Sequence, residues 1–311
     1  HAAAIGREFA FDVLAQATHW DEEEVVRSLD ELWRRHIIRG QGKTAYDFSH
    51  DKIREVVYSH ISQARRRLLH RRIAEALLAA QSDDSFSVSA ELAHHYEQAQ
   101  MPEQAIACYR EAAAGAQRVY ANAEVVDLLT KALALFEMLP PSVERDNLEL
   151  TLRVARSAPL VALASYSSPA VVAEYRQVLA LCQRLNLPPD PRALRGLALA
   201  NILQAEFLQS SARGQQIIDL VTSEQDAVLL VEGHYVQGVS AFWRGEFAQS
   251  HRHLEQALAH YSTEKRATHI SAYAQDPQVV CLTRLAWTLW HMGYPDRAYT
   301  LMARATGSSG D

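Results

Sequence analysis

The side chains whose type and spacing point to chemistry are concentrated between Gly42 and Arg72. His50-Asp51 follows an alternating run, Ala45–Phe48, and opens a helical one, so His50 stands at a helix N-terminus. An imidazole there can donate to a phosphate and changes charge near neutral pH; it can equally serve as the cap of that helix. Gly42-Lys43-Thr44 matches the tail of a phosphate-binding loop. That loop needs a glycine five residues before Gly42, where Ile37 stands, and a helix after the Thr, where Ala45–Phe48 alternates. The tripeptide therefore reads as a hairpin turn. Arg65, Arg66, Arg67, Arg71 and Arg72 can touch phosphates or form a solvated helix face with Leu68, Leu69 and Ile73 inward, and the second reading is the simpler.

The remaining candidates carry less. His94-His95, His251, His253 and His260 lack the helical His pair plus carboxylate that zinc requires, and read as surface histidines. Cys108, Cys182 and Cys281 lie 74 and 99 residues apart, which is not metal-ligand spacing, so reduced thiols in a cytosolic protein are expected. There is no Ser nucleophile elbow. A non-enzymatic chain with no cofactor and no metal of its own is the expectation.

The elements that position these residues follow from composition and periodicity. Ala and Leu dominate the 48% hydrophobic residues, and 12 Gly and 10 Pro among 311 residues favour a mainly helical protein. Net charge is −6, which argues against a nucleic-acid binder, with 13 Lys and Arg against 12 Asp and Glu in residues 1–80 and 18 against 25 in the rest. No apolar run reaches the length of a membrane span and no signal peptide opens the chain. The His1-Ala2 start and GSSGD end read as those of an excised fragment. Residues 9–17 read as a short helix. Asp21 reads as the N-cap of a helix over 22–35 whose Val25, Val26, Leu29, Leu32 and Trp33 recur at helical spacing. Ile37-Ile38, a turn at Gly40-Gln41-Gly42 and the strand Ala45–Phe48 follow, giving helix, helix and β-hairpin, the order of a winged helix. A recognition helix beginning Asp-Glu-Glu-Glu repels phosphate, so DNA binding is the weaker reading of this unit.

From Val88 the chain reads as paired helices with the tetratricopeptide (TPR) pattern. Ala93 and Ala105 occupy the small positions about one turn, Gly238 and Ser250 those about Gly245, and Ala286 and Ala298 those about Gly293. Weaker turns fall at Tyr120, Tyr166 and Ala205, and successive spacings of 46, 39, 40 and 48 imply long helices or inserted loops, such as 188–191 and 262–275. The expected division is residues 1–80, a winged-helix-like domain with a connecting helix, and 81–311, an α-α superhelix of TPR-like repeats. Stacked repeats present a concave groove, and the pattern turns Arg156, Arg195, Tyr235, Trp243, Trp287, Trp290 and His291 toward it as anchors for a peptide or small ligand. The same tryptophans can instead pack between repeats.

The run from Ala4-Ile5-Gly6-Arg7-Glu8-Phe9 through Phe48-Ser49-His50-Asp51 and Arg54-Glu55-Val56-Val57-Tyr58 to Arg66-Arg67-Leu68-Leu69-His70-Arg71-Arg72 resembles the winged-helix end of bacterial STAND-type signalling ATPases. Residues 166–305 resemble their helical arm. Such proteins include large transcriptional activators and adenylate-cyclase-like proteins. In that family a Met-His-Asp motif leans on the β-phosphate of ADP, and Ser49 stands here in place of the Met. The resemblance implies that His50 and Asp51 sense a nucleotide, ATP or ADP, held by an upstream nucleotide-binding domain outside this chain. It also implies a cytoplasmic regulator whose arm binds a protein partner or small effector, as arms of maltotriose-responsive activators bind an inducer, without nucleic acid or membrane contact. A DNA-binding winged-helix regulator and a plain TPR peptide-docking scaffold are the alternatives.

Overall fold

Phe9 and Phe48, both nearly inaccessible, mark where three short strands meet. β1 (Glu8–Ala10), β2 (Ile38–Gln41) and β3 (Ala45–Phe48) form an antiparallel sheet of order β1-β3-β2, with Phe9 opposite Tyr46 and Ile38 opposite Phe48. The computed structural model describes residues 1–42, 45–80, 86–222 and 226–307. Around this small sheet the protein is mainly α-helical, with seventeen α-helices among the described residues. None of them is long and apolar enough to cross a membrane. The chain divides into two compact units, His1–Pro140 and Pro141–Asp311.

The first unit runs α1 (Ala2–Ile5), β1, α2 (Phe11–Thr18), α3 (Glu22–Arg34), β2, β3, α4 (Asp51–Ser59), α5 (Gln63–Ala79), α6 (Phe86–Gln98), α7 (Pro102–Arg118) and α8 (Asn122–Ala134). The helix expected over 9–17 begins at Phe11, because Phe9 is drawn into the sheet and its ring packs against Tyr46 and Phe48. The hairpin is formed, and Gly42 takes the left-handed φ of 65° that a tight turn asks of glycine; Lys43 and Thr44 lie outside the described residues. Asp21 precedes α3 without making the side-chain cap bond its position invites. Only one flank of that helix is buried, at Val25 and Leu29, while Val26 and Trp33 are half exposed, contrary to the expected buried stripe. Arg65, Arg67 and Arg71 of α5 do face outward opposite Leu69, Ile73 and Leu77, while Arg66 and Arg72 are half-buried and Leu68, expected inward, is 38% exposed. Ile73 and Leu77 share one core with Phe9, Val13 and Leu92, so the boundary expected at 80/81 falls inside this unit: α5 and α6 depend on the same buried surface.

A polar chain pins three of these helices. The Tyr58 hydroxyl of α4 lies 2.8 Å from His70 Nε2 on α5, and His70 Nδ1 lies 2.8 Å from His95 Nδ1 on α6. Both rings are buried, so His95, expected at the surface, is here interior. His94, beside them in sequence, is exposed.

The second unit comprises α9 (Val143–Leu163), α10 (Pro169–Arg184), α11 (Pro191–Leu203), α12 (Phe207–Asp219), α13 (Ala227–Trp243), α14 (Phe247–His260), α15 (Arg266–Tyr273), α16 (Pro277–His291) and α17 (Pro295–Gly307). Successive helices pack on one another except at α15, which packs on α9 and α11 while α14 packs on α16. Small residues set their approach: a Cβ at Gly196 would meet the Tyr175 ring at 2.1 Å, and Ser250, Ala257, Ala286 and Ala298 are all buried. The turns read at Tyr120, Ala205, Gly245 and Gly293 each have a left-handed backbone, with φ between 56° and 87°. The insertion expected over 262–275 is an ordered 3₁₀ turn followed by α15, whose His269 and Tyr273 are buried.

Burial pushes the His70 imidazole down to about 4, with His94 and Arg66 adding, and pushes His95 down to about 3, with His70 and His94 adding. The unfolded chain therefore takes up protons below about 6.5 that the folded chain refuses until about 4 and below. Folding stability falls as pH drops through that window. A melting series from pH 7 to pH 4.5 should show a declining midpoint, and His70→Leu/His95→Leu should flatten it; an equally steep decline in the double variant refutes the assignment.

Candidate functional site

Sequence places two groups of candidate residues, and the structure treats them differently. His50 precedes α4, is exposed, and its side chain makes no cap bond, so the capping alternative is not realised. Asp51 is held by Arg7, whose Nη1 donates to Asp51 Oδ2 at 3.1 Å. Arg7 also donates from Nε to Asp47 Oδ1 at 3.3 Å, and Arg39 Nη2 donates to Asp47 Oδ2 at 2.7 Å. These hydrogen bonds, Arg39 foremost, hold the Asp47 carboxyl below the ordinary range. The strand pairing that puts Arg39 opposite Asp47 is the signal that finds this cluster.

Three residues expected to face an open groove are instead committed to the interior of the second unit. Arg156 donates from Nε and Nη2 to Glu174 at 3.1 and 2.5 Å, and Arg153 joins the same carboxylate at 3.0 Å. Arg195 is 1% exposed. Its Nε donates to Glu232 at 2.8 Å, Nη1 to the Tyr166 hydroxyl at 2.8 Å and the Tyr273 carbonyl at 3.1 Å, and Nη2 to Gln275 at 2.8 Å. Tyr235, also buried, lies under the guanidinium at 5.2 Å. His269 Nδ1 approaches the other Glu232 oxygen at 2.6 Å. The reason for the inward turn is the ion pair itself: α11 and α13 bring opposite charges together with each nitrogen of Arg195 matched by an acceptor. Glu232 and His269 carried no sequence signal, because their partners are 37 residues away in each case.

The other four candidates converge on the surface of the same unit. Trp243 ends α13, and Trp287, Trp290 and His291 lie on α16. The tryptophans are 47%, 42% and 64% exposed, so packing between helices accounts for part of each ring and leaves the rest open. Trp243 stacks on Phe207 with 6.3 Å between ring centres. His291 stacks on Phe247 at 4.9 Å and meets Phe242 edge-on at 5.7 Å, while its Nδ1–H donates to the Trp287 carbonyl at 2.8 Å. Trp287, Trp290 and His291 border a cavity of about 460 Å³, closed on the α17 side by Ala298, Tyr299 and Met302. Arg284, one helical turn before Trp287 and not anticipated from sequence, sets its guanidinium 4.5 Å from the Trp287 ring centre and 5.1 Å from those of Phe242 and Trp243. Its i, i+3 and i, i+7 relation to Trp287 and His291 is the spacing that could reveal it. A wall of aromatic faces over a cavity of this size binds by stacking and burial. Among the described residues no group of three His, Cys, Asp or Glu side chains is placed to hold a metal ion.

No family model matches the chain. It is similar to an uncharacterized protein of Rhizobium meliloti (strain 1021), 23% identical over 258 residues. That match covers 82% of this chain and 25% of the relative, so the chain spans about a quarter of the relative's length. Among solved structures it is similar to BtubC (BKLC) of P. vanneervenii, with a TM-score of 0.52 at 16% identity over 76% of this chain and 93% of that one. That likeness concerns the helical fold.

The buried pair yields a stability test. Glu232→Gln leaves the Arg195 charge in the interior without its counter-ion and is expected to cost about 3–5 kcal/mol by urea denaturation. Arg195→Met combined with Glu232→Leu should lose less than that single change; a smaller loss from the single change refutes the pairing as a keystone.

Proposed function

We propose that this chain is a non-enzymatic regulatory segment of a larger signalling protein, in which the helical unit 141–311 binds an effector or partner on its aromatic wall. The observation that carries this reading is that Trp287, Trp290 and His291, all exposed, border a cavity of about 460 Å³, with the exposed Trp243 linked to Trp287 through the Arg284 guanidinium. Leaving that much aromatic surface in water forfeits burial worth roughly 25 cal/mol per Å² of apolar area, a cost that a bound ligand recovers. In this reading the helices are TPR-like repeats, and the small buried positions at Gly238, Ser250, Ala286 and Ala298 support it. The test is a ligand screen by thermal shift. A stabilising small molecule or peptide is expected, and Trp287→Ala and Trp290→Ala should abolish its effect while leaving the unliganded melting point within a few degrees. A ligand shift indifferent to both substitutions places binding elsewhere.

The N-terminal unit is, in the same proposal, a winged-helix-like coupler to a STAND-type nucleotide-binding domain, with His50 as the contact to ADP. Its support is a side chain that is exposed at the start of α4 and unoccupied by any capping bond, next to an aspartate already oriented by Arg7. The full-length sequence is expected to carry a phosphate-binding loop upstream of His1. A full-length protein without such a loop removes the nucleotide role of His50 and leaves the wall reading untouched.

A further inference from the structure

The second unit contains two arginines set among aromatic rings, and only one of them is satisfied. Arg195 has each of its nitrogens matched by an acceptor, as described above. Arg284 sits among Phe242, Trp243 and Trp287, yet its Nε and Nη1 are buried without a hydrogen-bond partner. Among the described residues it is the one side chain with two such atoms, and no described carboxylate lies within ion-pair distance of it. Aromatic faces attract the cation, but they do not supply the directional acceptors that N–H groups require. Burial accordingly presses the guanidinium below its ordinary range, the direction expected of a charge without its counter-ion. A buried donor left unmade costs about 1–3 kcal/mol, more when charged, so the position favours whatever brings an oxyanion to it.

The geometry points to a site for a small planar organic carboxylate, its anionic head taken by the Arg284 guanidinium and its ring body by Trp287, Trp290 and Tyr299. This deepens the wall reading and rests on it. Arginine is the side chain fitted to the head group, because its fork of N–H donors matches two carboxylate oxygens at once. Trp287 joins the two halves: its ring carries the guanidinium at 4.5 Å and also borders the cavity of about 460 Å³. That volume lies in the range of small-molecule sites. Access to the buried nitrogens requires a rotamer change of Trp243 or Trp287, both half exposed, and such changes are common at binding sites. A cationic ligand is disfavoured by the positive charge already on the Trp287 face, and a neutral one leaves both donors unmatched.

Three probes with one ring body separate these cases: indole-3-acetate, indole and tryptamine, titrated calorimetrically into the chain, with the indole N–H resonances of its tryptophans followed by NMR. Indole-3-acetate is expected to bind at least about tenfold more tightly than either of the others, roughly 1.4 kcal/mol, and to shift the Trp287 and Trp290 resonances. Arg284→Met should erase the preference and keep the indole binding; should that variant fail to fold, Arg284→Lys, which keeps the charge and loses the fork, must still cut the preference by about threefold. Equal binding of the three probes, or tryptamine binding tightest, overturns the carboxylate site and leaves the wall reading standing. Binding by none of them also overturns the carboxylate site, while the wall reading fails only on its own thermal-shift screen. A glutamate-rich octapeptide that displaces indole-3-acetate at lower concentration overturns the small-molecule class.

Discussion

Arg195 is a permanent cation in a place that water does not reach, and the second unit is built to satisfy it. Its four partners come from the α9–α10 connection (Tyr166), α13 (Glu232), the end of α15 (Tyr273) and the segment after it (Gln275). Removing a charge from water costs several kcal/mol even after relaxation, so those segments are fixed relative to α11 or the charge is not tolerated. Shape contributes as well, since Gly233 and Gly238 let Ile218 and Leu254 close on α13. The ion pair adds a charged partner for α13 on α11. It also explains why α15 is a helix in a stretch whose composition reads as a loop, since His269 reaches Glu232 from it and Tyr273 offers its carbonyl at its C-terminal end.

The same chain can satisfy a buried arginine and leave another open, and that contrast organises the functional reading. Arg156 and Arg195 have carboxylates waiting, and their neighbours are tyrosines with polar tips or a second arginine. Arg284 has rings alone. Buried donor atoms in folded proteins, such as its Nε and Nη1, are rarely left so, because an unmet donor is a standing cost. Arg284 is joined through the Trp287 ring to a cavity walled by exposed tryptophans, and the proposed carboxylate site rests on that juxtaposition.

Much of the fold was legible in the sequence, because helical spacing and small residues at turns are local signals. Gly238, Ser250, Ala286 and Ala298 mark close approaches by size alone, and Gly245 and Gly293 mark left-handed turns by type alone. The misplacements share a cause. Phe9 reads as helix because its neighbours do, and only its distant partners in β3 make it strand. Arg195 and Tyr235 read as groove residues because the pattern assigns faces without knowing what stands across the fold; Glu232, 37 residues on, holds Arg195 inward, and Tyr235 lies buried beneath that guanidinium. His70 and His95 are 25 residues apart and show no motif, so their pairing required the fold. The exposed tryptophans were found because aromatic residues at repeat turns are conspicuous, whereas Arg284 was missed because a single arginine on a helix is not.

The Tyr58–His70–His95 chain has a property that belongs to none of its members. One proton lies between the two Nδ1 atoms, so the tautomer of one ring dictates that of the other, and the direction of the Tyr58 hydroxyl follows. With Tyr58 donating, the sequence runs outward and ends in an Nε2–H on His95, 4.0 Å from Glu91 Oε1; reversed, it ends in a bare lone pair beside that acidic side chain. The carboxylate favours the first arrangement. Three helices thus share a single polarity, and no ring in the chain can reverse unless the whole row reverses with it.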